Sequence, residues 1–317
     1  MAAKKPKIAI LTGGPSAERE ISLLTGEEIS RALEAKGYKT SKIDLDSDVV
    51  DNLKKSRCDL VFIALHGVPG EDGTIQGLLD ILKIPYVGSG VLASAVGMDK
   101  IRAKMIFSAL GIPAPFHIPV SHLELNGSAS DQLIQRLTGS LDLPMIIKPA
   151  TAGSAVGVRI IEDKKDLEPA LREATAFSAE AMAEEFIAGV EITIGLLGNE
   201  NPRPLPAIEI VTDNEFYDYD AKYTAGKSRH IIPPRIPKEA ISQAERFAVA
   251  AHVGLGCRGF SRVDFIVDKE DHLPYILEIN TIPGMTPLSL FPDAAKHAGI
   301  EFEDLVETLV KLALEPA

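Results

Sequence analysis

The chain has 317 residues, 45% of them hydrophobic and 25% charged, which suits a soluble globular enzyme of two or three domains with a large buried core. A formal charge of −12 excludes a nucleic-acid binder built on a basic surface, so an anionic ligand must be met by a few placed lysines and arginines. The two cysteines, Cys58 and Cys257, exclude a disulfide framework or zinc spacing, and no apolar run approaches membrane-spanning length; the expectation is a cytoplasmic protein.

Lys4, Lys5 and Lys7 precede the apolar run Ile8–Leu11, which is too short for a signal-peptide core and reads as part of a first strand, Lys7–Leu11. The loop Thr12-Gly13-Gly14-Pro15-Ser16 leads to a helix from about Ala17 to Lys36, capped by Ser16 and ended at Gly37. Strand, glycine loop and helix open a doubly wound α/β layer, whose ligands sit at the carboxyl ends of the strands. The loop lacks G-x-G-x-x-G, so a dinucleotide site is not supported. Glu18 falls in the first helical turn, where a carboxylate serves either the helix dipole or a ligand. Strands Thr40–Leu45 and Leu60–Leu65 continue the layer, and the second of them runs into His66-Gly67-Val68-Pro69-Gly70-Glu71-Asp72-Gly73 at the same rim. His66 there suits a substrate contact or a structural hydrogen bond. A helix, Thr74–Leu82, a short strand, Pro85–Val87, and the loop Gly88-Ser89-Gly90 complete the layer, which ends near Met98.

Asp99 opens a helix, Lys100–Leu110, and Pro113 and Pro115 start a second layer. A helix at Ser130–Leu137 and a strand at Leu143–Lys148 precede the loop PATAGSAVG (149–157) and the strand Val158–Ile161. That loop works as an ordinary hairpin connection, or folds over phosphates with its N–H groups; Lys148 just before it favours phosphate. After a helix at Asp166–Phe177, the strand Ala181–Phe186 carries Glu184 and Glu185 where apolar residues are expected. A buried acid there needs a donor, such as an adenine amino group. The strand Val190–Leu197 carries Glu191, and Ala207–Val211 is a further strand. Residues 216–228 (FYDYDAKYTAGKS) read as a long functional loop or lid, and their Gly226-Lys227-Ser228 is no P-loop, since Ala221 stands where the first glycine belongs. Helices at 238–252 and Phe302–Leu314 flank the stretch with the most chemistry in it.

In that stretch two β-rich runs, Phe260–Val267 and Tyr275–Ile279, flank a charged turn, as in a hairpin. Centring the turn on Asp271 sets Asp264 opposite Glu278 and Arg262 opposite Asn280, all on one face. Two carboxylates and an amide oxygen are hard ligands that suit magnesium, and Arg262 suits a phosphate or an oxyanion. A half-exposed hairpin with a polar outer face has the same pattern, but the Pro-Gly and Thr-Pro pairs that follow hold the next loop in one shape, as a site requires.

Gly13-Gly14-x-Ser16-x-Glu18-Arg19-Glu20, His66-Gly67 with Gly70-Glu71-Asp72-Gly73, Gly153-Ser154, Tyr217-Asp218-Tyr219 with Lys222-Tyr223, and Glu278-x-Asn280 with Pro283-Gly284-Met285-Thr286 together resemble the D-alanine–D-alanine ligases of the ATP-grasp superfamily. The resemblance runs from about Lys7 to the last helix. It implies a three-domain α/β ATP-grasp architecture with an N-terminal doubly wound domain, here 1–98, 99–187 and 188–317. It implies ATP-driven joining of two D-alanines through an acyl phosphate, for peptidoglycan precursors, by a homodimer that binds neither nucleic acid nor membrane. Two magnesium ions, or manganese in their place, would sit on Asp264, Glu278 and Asn280. Lys100 and Lys148 would hold phosphates under the loop with Gly153, Ser154 and Ala155, while Glu184, Glu185, Phe186 and Ile187 would meet adenine and Glu191 the ribose. Glu18 would bind the first D-alanine and form a set with Ser154 and Tyr223, near His66. Arg262 and the Gly284 N–H would stabilise the oxyanion, Ser289 and Leu290 would receive the second D-alanine, and Lys222 would lie on the lid. Ala155 replaces a frequent serine and Asp220 a usual glutamate, and neither change removes a group the chemistry needs. The alternatives are a D-alanine–D-lactate ligase, against which Tyr223 speaks, and another ATP-grasp carboxylate–amine ligase.

Overall fold

A computed structural model describes residues 5–212, 228–287 and 289–316. The first sheet is parallel, in the order β2 (Lys39–Asp44), β1 (Lys7–Thr12), β3 (Leu60–Ile63). Its central strand is buried over Ile8–Leu11 because helices cover both faces, which is why it reads as a continuous apolar run. Helix α1 (Arg19–Ala35) lies close against it through small residues; a Cβ on Gly26 would overlap Thr12 Cγ2. Helices α2 (Val49–Ser56), α3 (Thr74–Leu82) and α4 (Val91–Met98) complete this layer. The expected strand at 85–87 is reduced to a single parallel bridge between Val61 and Tyr86.

Helix α5 (Lys100–Ala109) starts at Asp99, whose carboxylate accepts from the N–H groups of Ile101 and Arg102 and so satisfies two orphan donors of the first turn. A four-stranded antiparallel sheet follows, in the order β4 (His117–Ser121), β7 (Glu180–Glu185), β5 (Met145–Pro149), β6 (Arg159–Ile161), with α6 (Ser128–Ser140) and α7 (Leu167–Phe177) in the same unit. Along β5 the alternation is regular: Met145, Ile147 and Pro149 are buried, and Ile146 and Lys148 point the other way.

The third sheet is antiparallel, with β11 (Ser228–Ile231), β10 (Ile208–Thr212), β8 (Gly189–Leu197), β12 (Phe260–Asp268) and β13 (Pro274–Asn280) side by side and β9 (Arg203–Pro204) on β8. Helix α8 (Lys238–Leu255) packs on it through a stripe of alanines, Ala240, Ala244, Ala248 and Ala251. It runs past Gly254, where the sequence reading ended it, because Leu110 packs against that glycine and a left-handed Gly256 makes the stop. Helix α9 (Leu290–His297) and helix α10 (Phe302–Ala313) end the described chain.

The last helix does not stay with its sequence neighbours. Its buried residues Leu305, Val306, Leu309 and Val310 share one apolar core with β1 and β3, and Phe260 meets Phe291 edge-on within that core at 5.5 Å. Lys36–Asp304 and Tyr38–Glu307 bonds join the two ends of the chain at the surface.

Candidate active site

The hairpin β12–β13 has the expected register at its chemical end: Asp264 pairs with Glu278 and Arg262 with Asn280. Beyond Asp264 the register shifts by one, so that Phe265 faces Ile276. The bulge lies on the turn side, and a count centred on Asp271 therefore fails only where no candidate ligand sits.

Between the central and third sheets opens a cleft of roughly 550 Å³, a size suited to a nucleotide. Lys148 and Glu184 of the central sheet face Glu191, Asp264 and Glu278 across it. Glu185, Phe186 and Ile187 form its wall where the chain passes from one sheet to the other, and Ala155 reaches it from the loop above. Glu184 is fully buried, and its donors are not those expected from the sequence. Lys104 Nζ lies 2.8 Å from Oε2, and Lys148 Nζ donates to Oε1. Burial alone would raise the Glu184 carboxyl, but the two ammoniums outweigh it and hold it at about 2. The same burial lowers Lys104, because no water reaches its charge.

A second, smaller cavity adjoins the cleft at the end of the hairpin. Glu18, His66, Lys100, Gly153, Ser154, Arg262, Asn280, Gly284, Ser289 and Leu290 line it together with Glu278. Lys100 and Glu278 line both spaces and stand 3.1 Å apart at their junction. Lys100 Nζ also donates to Ala152 O at 2.7 Å, which ties α5 to the loop. Ser154 donates to Glu18 Oε1 at 2.8 Å and so connects that loop to the first layer across 136 positions of sequence. Ser154 and Ala155 both hold left-handed backbone, with φ of 51° and 55°, a costly shape for side-chain-bearing residues that aims the serine inward. Glu18 is not inside the first helical turn: it is the N-cap residue, and the Ser16 hydroxyl accepts its N–H. Ser16 was expected at the cap, but two further residues of turn precede the helix and carry Glu18 to the rim.

Arg262 places its guanidinium on Asp264 in a two-pronged pair at 2.9 and 2.7 Å, and Thr193 donates to the same carboxylate. Ser289 accepts from the Thr286 N–H at 3.1 Å, and a Cβ on Gly284 would stand 2.9 Å from its hydroxyl, so only glycine leaves that backbone open to the cavity. His66 is buried, with Nε2 3.2 Å from Thr25 Oγ1 and Nδ1 3.6 Å from Glu71. Lys222 and Tyr223 lie outside the described residues. Among the described residues no group of three or more His, Cys, Asp or Glu side chains forms a metal cluster.

The sequence reading gave Glu71 no role of its own and passed over Glu209 and Arg235. Glu209 lines the cleft and receives the Arg235 N–H at 2.8 Å. Its signal was the one used for Glu184, an acid inside an apolar strand, here IEIVT.

A family model described as D-ala D-ala ligase C-terminus matches residues 106–311, and one described as D-ala D-ala ligase N-terminus matches 47–89. A D-alanine–D-alanine ligase from Pelotomaculum thermopropionicum is 52% identical over 309 residues, 98% of this chain and 97% of that protein. The chain belongs to the D-alanine–D-alanine ligase family. Solved structures agree with that membership and with the ATP-grasp fold. A D-alanine–D-alanine ligase from Bacillus anthracis complexed with ATP superposes with a TM-score of 0.81 at 32% identity, covering 98% of this chain and 97% of the other. The VanG D-Ala:D-Ser ligase from Enterococcus faecalis gives 0.83 at 29% identity, covering 98% and 100%. In this chain a nucleotide-sized cleft meets a small polar cavity at Lys100 and Glu278.

Proposed function

We propose that this chain joins two D-alanines into D-alanyl-D-alanine, converting ATP to ADP and phosphate, for peptidoglycan precursors. The observation that carries the reading is the junction itself. An amino acid in the small cavity and a triphosphate in the cleft would meet beside Lys100, Glu278 and Arg262.

A carboxylate oxygen of the first D-alanine attacks the γ-phosphorus, and ADP leaves. The amine of the second D-alanine then attacks the acyl carbon, the bond from that carbon to the phosphate oxygen breaks, and phosphate leaves with the proton that the amine gives up. Glu18 takes the ammonium of the first D-alanine, and Ser154 holds Glu18 in place from the loop. Lys100 and Lys148 take phosphate charge, and the N–H groups around Gly153 and Ala155 cover it. The segment Glu184, Glu185, Phe186, Ile187 lies along the adenine and Glu191 at the ribose. Arg262 and the Gly284 N–H stabilise the tetrahedral oxyanion, and Ser289 and Leu290 receive the second carboxylate, with His66 behind Glu18. Lys222 and Tyr223 belong to the covering segment.

Asp264, Glu278 and Asn280 would hold magnesium, or manganese, as two ions. The donors fit: they are hard oxygens on one face, and the two carboxylates already face cations of the chain, Arg262 and Lys100. Bound there, the metal neutralises charge on the transferring phosphoryl group. A homodimer, a cytoplasmic location and a division at 1–98, 99–187 and 188–317 complete the proposal; among the described residues no helix is long and apolar enough to cross a membrane.

The test is turnover with ATP, magnesium and D-alanine, followed as ADP release and as dipeptide. D-alanine alone should support both at equal rates. Since one similar structure is a D-Ala:D-Ser ligase, D-serine and D-lactate are offered beside it. Turnover that appears only when one of these is added would overturn D-alanine as the acceptor.

A further inference from the structure

The proposed reaction leaves the buried charge of Lys104 without a role. The Lys104 side chain has no exposure to solvent, and neither does that of its partner Glu184. Sequence and fold explain how they meet. Ile101 and Lys104 share a face of α5, one turn apart. Ile101 packs with Met182, and Glu184 lies two residues further along the same face of β7. Lys104 therefore meets Glu184 on that face without lining the cleft, while Lys148 reaches the same carboxylate from the cleft wall. A buried ion pair is a weak source of stability, and a methionine or leucine would fill the Lys104 site at less desolvation cost.

The charge count gives Lys104 its use. One carboxylate between two ammoniums leaves the cluster one positive charge in excess, on the side where a nucleotide would lie. For Lys148 to turn to a phosphate it must release Glu184. Without Lys104 that release would leave a carboxylate buried and unpaired, which is strongly unfavourable. With Lys104 in place the carboxylate keeps a partner at 2.8 Å. We propose that Lys104 is a positioning residue, which holds Glu184 so that Lys148 can exchange that carboxylate for a nucleotide phosphate. The proposal rests on the cleft being the nucleotide site.

The experiment is calorimetric titration of the full chain with ADP in the presence of magnesium, alongside the KM for D-alanine and the melting temperature. It compares wild type, Lys104→Met, Glu184→Gln and the double variant. Lys104→Met should weaken ADP about tenfold and move the KM for D-alanine less than about twofold, because Glu184 then retains Lys148. In the Glu184→Gln background the same change should move ADP affinity less than about twofold, since no carboxylate is left to retain it. Equal losses in the two backgrounds, or a lowered melting temperature with unchanged ADP affinity, would overturn the proposal. Should Lys104→Met alone not fold, Glu184→Gln against the double variant decides, and Lys104→Arg, which keeps the charge, should keep the affinity. A wild-type chain that fails to bind ADP would remove the nucleotide site itself, a result distinct from all of these.

Discussion

Glu278 is the residue at which the cleft and the small cavity meet, 3.1 Å from Lys100 and opposite Asp264. It is half-buried and stands on the polar face of its strand, so its charge serves the site more than the core. Glu278→Gln keeps the shape and removes the charge. Turnover should fall at least about a hundredfold while the melting temperature stays within about 2 °C. A variant that keeps most of its turnover would exclude Glu278 as a metal ligand. Ser154 offers a milder test at the same scale. Ser154→Ala removes the 2.8 Å bond to Glu18 and nothing from the core. Saturated turnover should drop about tenfold with unfolding free energy unchanged, a loss typical of one positioning hydrogen bond. Equal activity in the variant would detach the loop from Glu18.

The loop between β1 and α1 depends on a staple that the sequence alone does not reveal. Arg19 pairs with Asp44 and donates to Gly14 O at 3.2 Å, and Asp44 accepts the Gly14 N–H at 3.2 Å. The Arg19 hydrogen bond holds the Asp44 carboxyl below the usual carboxylate range. Gly13 sits inside this staple at φ 71°, and a Cβ there would overlap Asp44 Oδ1. Gly13→Ala should therefore cost about 2 kcal/mol in denaturant unfolding and displace Glu18 enough to raise the KM for D-alanine. An alanine variant as stable as wild type would show the loop to be free of that pair. Among regular elements, α3 has its expected bounds, and most strands fall within one or two residues of them, since each carries a clear period or a buried run. Helix α4, VLASAVGM, was missed because it is almost wholly apolar and shows no polar face. Helix α9 was missed because Pro292 reads as a breaker, although the first turn of a helix tolerates proline.

Across the whole molecule, the first two layers and the hairpin face were legible from periodicity and spacing and the three-part architecture only from the resemblance, whereas long-range pairings were not. Nothing local tells that Glu184 takes its donors from Lys104 and Lys148, or that the last helix returns to the core of the first sheet. The packing of α8 on the third sheet bears on pH. His252, at the end of α8, is fully buried, bonds Ser261 Oγ at 2.7 Å, and is pushed by burial down to about 4 from 6.5. Between those values the unfolded chain takes up a proton that the folded chain refuses, so stability is full above pH 6.5 and falls as pH drops towards 4. Glu184, held at about 2, adds a second loss below pH 4.5, where its unfolded form protonates first. From pH 7 to pH 4, wild type should lose about 3 kcal/mol more unfolding free energy than His252→Gln, measured by urea titration. Parallel losses in the two proteins would mean that His252 titrates as an ordinary surface imidazole.

Carboxylate activation at the junction of the two cavities is tested most directly by isotope transfer. D-alanine labelled with ¹⁸O in its carboxylate is turned over with unlabelled ATP and magnesium, and the released phosphate is weighed by mass spectrometry. An acyl phosphate requires one labelled oxygen in that phosphate, carried from the substrate. Phosphate free of label would contradict the account.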